Sequence, residues 1–99
     1  MTRIVWTLQA VEDVEAIRDY VARDSVHSAQ LLASRLILSV ERLAQFPDSG
    51  RIVPEVGDET IREVVLGNYR IVYQLAADEL NILTVFHGAR LFPDTTKGS

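Results

Sequence analysis

Three residues in the second half of the chain, Glu63, Arg70 and His87, have side chains that could cooperate in acid–base chemistry. A carboxylate can take a proton from an attacking hydroxyl, an imidazole can give one to a leaving oxygen, and an arginine can stabilise charge on phosphorus. Together these groups would suit the cleavage of a phosphodiester. An ordinary interpretation stays open, because charged strand residues often face solvent and a single histidine at a strand end is commonly structural.

The first of two predicted hairpins decides whether Glu63 and Arg70 meet. A Gly-Asn pair at positions 67 and 68 separates two apolar runs, and glycine in the first place predicts a type II′ turn. Such a turn places its flanking residues opposite one another. Glu63 and Arg70 then lie on the same face of the sheet, within reach of long side chains.

The second hairpin decides the position of His87. If the next turn pairs Ala76 with Glu79, Arg70 lies opposite Val85, and His87 follows two positions further along on the same face. All three candidate residues would then share one face. A register shift of one residue would instead move His87 to the opposite face.

The elements that carry these residues follow the order β-α-α-β-β-β. Apolar residues recur at helical spacing in the first half of the chain, and short β-branched runs bounded by turn residues follow in the second half. The predicted elements are strand 3–8, helix 9–24, helix 27–46 and strands 60–66, 69–76 and 80–87. This order predicts an α+β fold in which an antiparallel sheet carries a helical hairpin on one face and leaves the other face uncovered.

The composition predicts one acidic domain over residues 1–99, with residues 93–99 as a flexible tail. The net charge of −4 argues against an extended groove for nucleic acid, which would need a basic surface. Nearly all of the basic residues are arginines, which suit small bidentate contacts with phosphate or carboxylate. Arg51, Arg62 and Arg90 are the candidates for contacts of this kind.

The chain contains no cysteine, so it has no disulfide, thiolate metal site or thiol nucleophile. Its two histidines, His27 and His87, belong to distant elements, and we therefore expect no metal site and no cofactor. No charged-then-apolar leader is visible, and no run approaches the 18 apolar residues of a membrane span. We expect a cytoplasmic location.

The second helix has more apolar surface than one buried stripe requires. Leu31 and Leu38, seven positions apart, widen its apolar face. Two interpretations remain open: the helix is buried on two sides, or it presents a ridge to a partner.

Several stretches of the chain, taken in order, resemble the RelE/ParE toxin superfamily of bacterial toxin–antitoxin modules. After Trp6, the matching stretches are AVEDVEAIRDY in the first helix, LAQFPDSGR at the end of the second, IREV and YRIVY in the strands, and VFHGAR at the end. Each stretch is weak by itself, but their joint order in a chain of this length is fairly specific. The resemblance covers roughly residues 3–92.

The resemblance implies a small toxin that a cognate antitoxin holds inactive by wrapping its helices and sheet. We take Leu31, Leu38 and Val21 as candidates for antitoxin binding, and the three arginines named above as candidates for contact with the target. RelE-like members cut messenger RNA on the ribosome, whereas ParE-like members poison DNA gyrase without nuclease activity. A third interpretation is a non-toxic module that kept the fold and the antitoxin partner.

The resemblance also suggests roles for single residues. Arg70 matches the strand arginine of the RelE-like nucleases, and His87 matches a proton donor used in some of them. The general base has no secure match, since Glu55 and Glu63 are both candidates. The nucleases are typically basic and rich in lysine, whereas this chain is acidic, and its SGRIVPE loop looks more like the ParE-like branch. The resemblance therefore favours a ParE-like gyrase inhibitor, with Glu63, Arg70 and His87 catalytic only in the RelE-like alternative.

Overall fold

The structure, a computed structural model, describes residues 2–88 as two helices and a five-stranded sheet. The elements are β1 Arg3–Trp6, α1 Leu8–Ala22, α2 Val26–Leu43, β2 Arg51–Ile52, β3 Ile61–Leu66, β4 Tyr69–Ala76 and β5 Glu79–His87. The predicted α+β fold is confirmed. The sequence pattern missed β2, which is only two residues long and lies in a stretch rich in glycine and proline. The predicted flexible tail, residues 93–99, and the candidate Arg90 lie outside the described residues.

The sheet has the strand order β1-β5-β4-β3-β2 and is mixed. The three strands β3, β4 and β5 are joined by tight hairpins and are antiparallel, as predicted. β1, however, pairs with β5 in parallel, from Arg3 opposite Glu79 to Trp6 opposite Ile82. The prediction of a purely antiparallel sheet is therefore wrong for this edge. Two helices follow β1, and a helical crossover allows a parallel neighbour whereas a short hairpin does not.

Both helices have an N-cap residue whose side chain accepts a backbone hydrogen bond. The Thr7 hydroxyl accepts a hydrogen bond from the Ala10 backbone N–H at 3.1 Å at the start of α1. At the start of α2, the Ser25 hydroxyl accepts one from Ser28 N–H at 3.1 Å. The buried face of α2 packs toward the sheet, and its fully buried residues are Ala29, Leu36, Val40 and Leu43.

Two apolar clusters fill the space on either side of the sheet. The larger lies between the helices and the sheet and includes Leu36, Ile71 and Tyr73. The smaller lies on the other face, and its buried members are Val53, Ile61, Val72 and Phe86.

The second face of the sheet is therefore not left uncovered, and that prediction is wrong. Residues 53–60, here called the covering loop, contribute Val53 and Val56 to the smaller cluster. Backbone hydrogen bonds from Val56 and Gly57 to the Val53 carbonyl make the loop compact. Val53 is fully buried and Val56 is partly buried, which removes apolar surface from water. No helix within residues 2–88 is long and apolar enough to cross a membrane.

Candidate functional site

The predicted register of the first hairpin is confirmed. Leu66 pairs with Tyr69, and Glu63 lies opposite Val72 on the same face as Arg70. Gly67 has a φ of 59°, the left-handed value that glycine adopts at little cost and that the first central position of a type II′ turn requires.

The register of the second hairpin starts as predicted and then changes. Ala76 pairs with Glu79, but β5 contains one extra residue at a β-bulge, between the pairs Tyr73–Ile82 and Val72–Thr84. The extra residue, Leu83, shifts every later pair by one position.

The shift separates His87 from the other two candidate residues. Arg70 lies opposite Phe86 rather than Val85, and His87 lies opposite Tyr69 on the face that carries the helices. The prediction that Glu63, Arg70 and His87 share one face is therefore wrong for His87. The cause is an inserted residue within β5, because the turn itself has the predicted register.

Asp13, on α1, holds the bulge in place. Its carboxylate oxygen Oδ2 accepts hydrogen bonds from the Thr84 hydroxyl at 2.5 Å and the Val85 backbone N–H at 3.0 Å. Because this contact joins residues about seventy positions apart, nothing in the local pattern of β5 reveals it. The one sign of the bulge in the sequence is Thr84, a polar residue within the apolar run ILTVF.

Glu63 lies at the centre of an ion cluster on the face away from the helices. Its side chain is fully buried, which is unusual for a carboxylate without partners. Oε2 accepts a hydrogen bond from Arg51 Nε at 2.6 Å, and Oε1 accepts one from Arg70 Nε at 2.5 Å. We call Arg51, Glu55, Glu63 and Arg70 the Glu63 cluster.

Arg70 is enclosed on several sides within the Glu63 cluster. Besides the bond to Glu63, its two terminal nitrogens donate to both carboxylate oxygens of Glu55, at 2.8 and 2.9 Å. The guanidinium carbon lies 5.2 Å from the centre of the Phe86 ring, in cation–π contact. The side chain of Arg70 is 11% exposed. Its guanidinium therefore holds the covering loop against the sheet.

The charged forms of Glu55 and Arg70 stabilise each other. The side-chain hydrogen bonds from Arg70 lower the pKa of Glu55 from its ordinary value of 4.5 to about 2. The same hydrogen bonds, chiefly with Glu55 and then with Glu63, raise the pKa of Arg70 above its ordinary range. Both carboxylates proposed as a general base are thus used as partners of Arg70.

The arginine candidates for target contact have different surroundings. Arg51 has a side chain that is 65% exposed, although its Nε binds Glu63. Arg62 lies opposite Tyr73, as its register predicts, and donates to the Gly50 carbonyl at 3.0 Å.

The Gly50 turn is fixed by the buried Tyr73. The Tyr73 hydroxyl accepts from Gly50 N–H at 3.0 Å and donates to the Pro47 carbonyl at 2.9 Å. A β-carbon on Gly50 would lie 2.3 Å from that hydroxyl oxygen, so this position requires glycine. The PDSGR stretch is therefore a structural turn that places Arg51 beside Glu63.

His87 borders a groove between α1 and the ends of β4 and β5. Its ring meets the Tyr69 ring edge to face, with centroids 5.5 Å apart and an interplanar angle of 77°. The groove has a volume of about 430 Å³, and we call it the His87 groove. It is lined by Asp13, Ala16, Ile17, Tyr20, Tyr69, Val85, Phe86 and His87.

The helices carry a separate apolar surface. Leu31 and Leu38 on α2 are 44% and 62% exposed, whereas Val21 on α1 is half-buried. The second groove, here called the helix groove, has a volume of about 350 Å³ and lies between β1 and the two helices. It is lined by Trp6, Val11, Val14, Glu15 and Ile37. Among residues 2–88, no group of three or more His, Cys, Asp or Glu side chains could hold a metal ion.

Comparisons with known proteins agree with this architecture. The family described as ParE toxin of type II toxin–antitoxin system, parDE, matches residues 4–92. Toxin RelE2 of Caulobacter vibrioides is 39% identical over 92 residues, which is 92% of this chain and the whole of that protein. The protein Y4kP of Sinorhizobium fredii is 34% identical over 93 residues, covering 92% of this chain and 93% of that one.

A solved structure from the chromosomal ParDE toxin–antitoxin system of P. aeruginosa has the same fold. It superimposes with a TM-score of 0.74 over 88% of this chain and 96% of that chain, at 23% identity.

Proposed function

Because the chain belongs to the ParE toxin family of type II toxin–antitoxin systems, we propose that it arrests growth by inhibiting DNA gyrase and not by cutting RNA. A toxin of this family works with a cognate antitoxin, which is the partner of this chain. Gyrase is the target that the ParE-like branch of the resemblance implies.

The enclosure of Arg70 is the observation that carries this proposal. An arginine that stabilises charge on phosphorus must offer its N–H groups to the phosphate. In this chain the Nε of Arg70 and both terminal nitrogens donate to Glu63 and Glu55, and two carboxylates repel a phosphate. The phosphate of an RNA substrate would have to displace Glu55 before it could bind the terminal nitrogens of Arg70.

The position of His87 supports the same conclusion. A proton donor must reach the leaving oxygen at hydrogen-bond distance while the arginine holds the phosphate. His87 lies on the helix side of the sheet and Arg70 on the other side. The net charge of −4 also disfavours binding to ribosomal RNA, which requires a basic surface. The arginine candidates would then make the contact with the target. Of the two that the structure describes, Arg51 is exposed and Arg62 is half-buried.

The proposal is tested by inducing the chain in a bacterium and pulse-labelling DNA and protein synthesis. DNA synthesis should fall first, and the purified chain should inhibit supercoiling by gyrase while leaving messenger RNA on ribosomes intact. Arg51→Ala should weaken inhibition, and Arg18→Ala, an exposed arginine on α1, serves as the matched control. Early loss of protein synthesis together with cleaved messenger RNA would contradict the proposal, and no growth arrest would favour the non-toxic module.

We further propose that the antitoxin covers the exposed apolar surface of the helices. Leu38 is the most exposed of the three candidates, and burying such a side chain in an interface is favourable by about 1.5–3 kcal/mol. Leu38→Asp should therefore weaken antitoxin binding at least about tenfold, since 1.4 kcal/mol is a factor of ten.

Ser49→Asp is the control for the added charge, because Ser49 is an exposed polar residue in the loop after α2, away from the face that carries Leu31 and Leu38. Binding of purified antitoxin is measured by calorimetry. If Leu38→Asp binds the antitoxin as tightly as the native chain does, Leu38 is not in the interface, whatever the target of the toxin proves to be.

A further inference from the structure

The two edges of the sheet are protected to different degrees. A strand at an edge presents unpaired backbone groups, and proteins commonly protect such edges with charged residues, proline or very short strands. The edge at β2 has these features, because β2 is two residues long, begins with the exposed Arg51 and has Pro54 two positions beyond it. The opposite edge, β1, has none of them at its centre, which consists of Ile4, Val5 and Trp6.

The outer side of β1 offers two residues for further pairing. Arg3 N–H donates to the Asp78 carbonyl at 2.8 Å, and Thr7 N–H also donates across to β5, at 3.2 Å. The odd-numbered residues from 3 to 7 therefore direct their backbone groups toward β5. Because these groups alternate in direction along a strand, those of Ile4 and Trp6 point outward. Among residues 2–88, no strand pairs with this side of β1.

We infer that a second copy of the chain pairs with this edge, β1 against β1, across a two-fold axis at Val5. When the two strands run antiparallel about Val5, Ile4 of each copy lies opposite Trp6 of the other. Facing residues of this kind exchange two hydrogen bonds, so the four outward N–H groups of the two strands meet the four outward carbonyls. The edge is thus complementary to itself, as a symmetric dimer requires, and this selects a second copy as the occupant.

The side chains beside the edge are apolar on both faces of the sheet. Ile4 and Trp6 pack against the larger cluster on the helix side, so Val5 between them points to the other face and would meet its own counterpart. On the helix side, Trp6 lines the helix groove, Leu8 is 73% exposed and Val11 is 40% exposed. A second copy would cover part of this apolar surface.

Charge does not oppose the pairing. The one charged residue of β1, Arg3, forms an ion pair with Glu79 of its own chain. In the paired strands Arg3 would lie opposite Thr7, so like charges do not face each other. Because the contact involves one short strand and its flanks, we expect a weak dimer in equilibrium with the monomer. The inference does not depend on gyrase being the target.

Because the chain has no cysteine, a single substitution tests both the pairing and its register. The two-fold axis places Val5 opposite its counterpart in a pair without hydrogen bonds, with α-carbons about 4.5 Å apart, which a disulfide can span. Val5→Cys should therefore form a disulfide-linked dimer under mild oxidation.

Val65→Cys is the matched control, because Val65 is a more exposed strand valine on the same face of the sheet, within β3. Its crosslinking measures chance collisions between chains. Val5→Cys should crosslink at least about tenfold faster at the same protein concentration, because pairing raises the effective concentration of the thiols. Equal rates for the two variants would overturn the inference.

Sedimentation of the native chain gives an independent measurement. The average mass should rise from that of one chain toward that of two as the concentration increases from about 1 µM to about 500 µM. Val5→Lys should raise the dissociation constant of the dimer at least about tenfold, because two ammonium groups would face each other at the axis. Val65→Lys should leave this constant unchanged, and circular dichroism checks that both variants fold.

A native chain that stays monomeric over this range would overturn the inference. If Val5→Lys then weakened binding of the antitoxin, the edge would belong to a strand of the antitoxin instead of a second copy.

Discussion

The two faces of the sheet hold their polar residues in contrasting ways. On the face away from the helices, Glu63 and Arg70 are enclosed in an ion cluster and the covering loop lies over them. On the helix face, His87 packs against Tyr69 at the border of an apolar groove. The face away from the helices pairs its charged side chains with one another, whereas the helix face has an apolar groove beside His87.

The contrast bears on function because a nuclease needs its charged groups to be available to substrate. Arg70 and His87, which the resemblance matches to catalytic positions of RelE-like enzymes, make structural contacts in this chain. Arg70 fastens a loop, and His87 belongs to the other side of the sheet. The helices expose large apolar side chains, among them Leu31 and Leu38. This distribution supports the proposal that the chain acts by binding another protein.

The largest expected effect on stability is that of Glu63→Ala, which removes the central carboxylate of the Glu63 cluster. Removing a buried carboxylate leaves Arg70 partly buried without this partner, and such losses cost about 3 kcal/mol or more of the free energy of unfolding. Urea denaturation measures it. Glu59→Ala, an exposed glutamate of the covering loop, should change stability by no more than about 0.5 kcal/mol. If the two variants unfold alike, the buried cluster does not stabilise this face.

The next largest effect is expected on the helix face, where Asp13→Ala removes the acceptor that holds the bulge. The buried Thr84 hydroxyl and the Val85 N–H then lose their acceptor, at a cost of about 2 kcal/mol. Glu12→Ala, an exposed acidic residue next to it on the same helix, should have little effect. Chemical denaturation compares the two. NMR contacts between the Tyr69 and His87 rings should weaken in Asp13→Ala, and unchanged contacts would mean that the bulge does not need Asp13.

The Glu63 cluster and the surroundings of His87 also show how much of the structure the sequence could predict. Three features depend on local pattern and turn chemistry and were predicted correctly: the Gly-Asn hairpin, the helical spacing of apolar residues in α2, and the shared face of Glu63 and Arg70. The face of His87 depends on a bulge held by Asp13 from another element, which no local pattern encodes. The packing of the covering loop against the sheet was not predicted, because glycine and proline indicated only a loop, although Val53 and Val56 carried an apolar signal.

The smallest expected effect distinguishes the exposed part of the Glu63 cluster from its buried centre. Arg70 depresses the pKa of Glu55 to about 2, so the ion pair stabilises the folded state above the ordinary pKa of 4.5 and loses this contribution as the pH falls through 2. Because the Glu55 side chain is 42% exposed, solvent screening should limit the contribution to under about 1 kcal/mol.

The measurement is the difference in free energy of unfolding between the native chain and Glu55→Gln. This difference should be constant near neutral pH and shrink on acidification. It should also shrink with added salt. Glu59→Gln supplies the control, and a difference that persists at pH 2 would mean that the carboxylate of Glu55 stabilises the loop by something other than its charge.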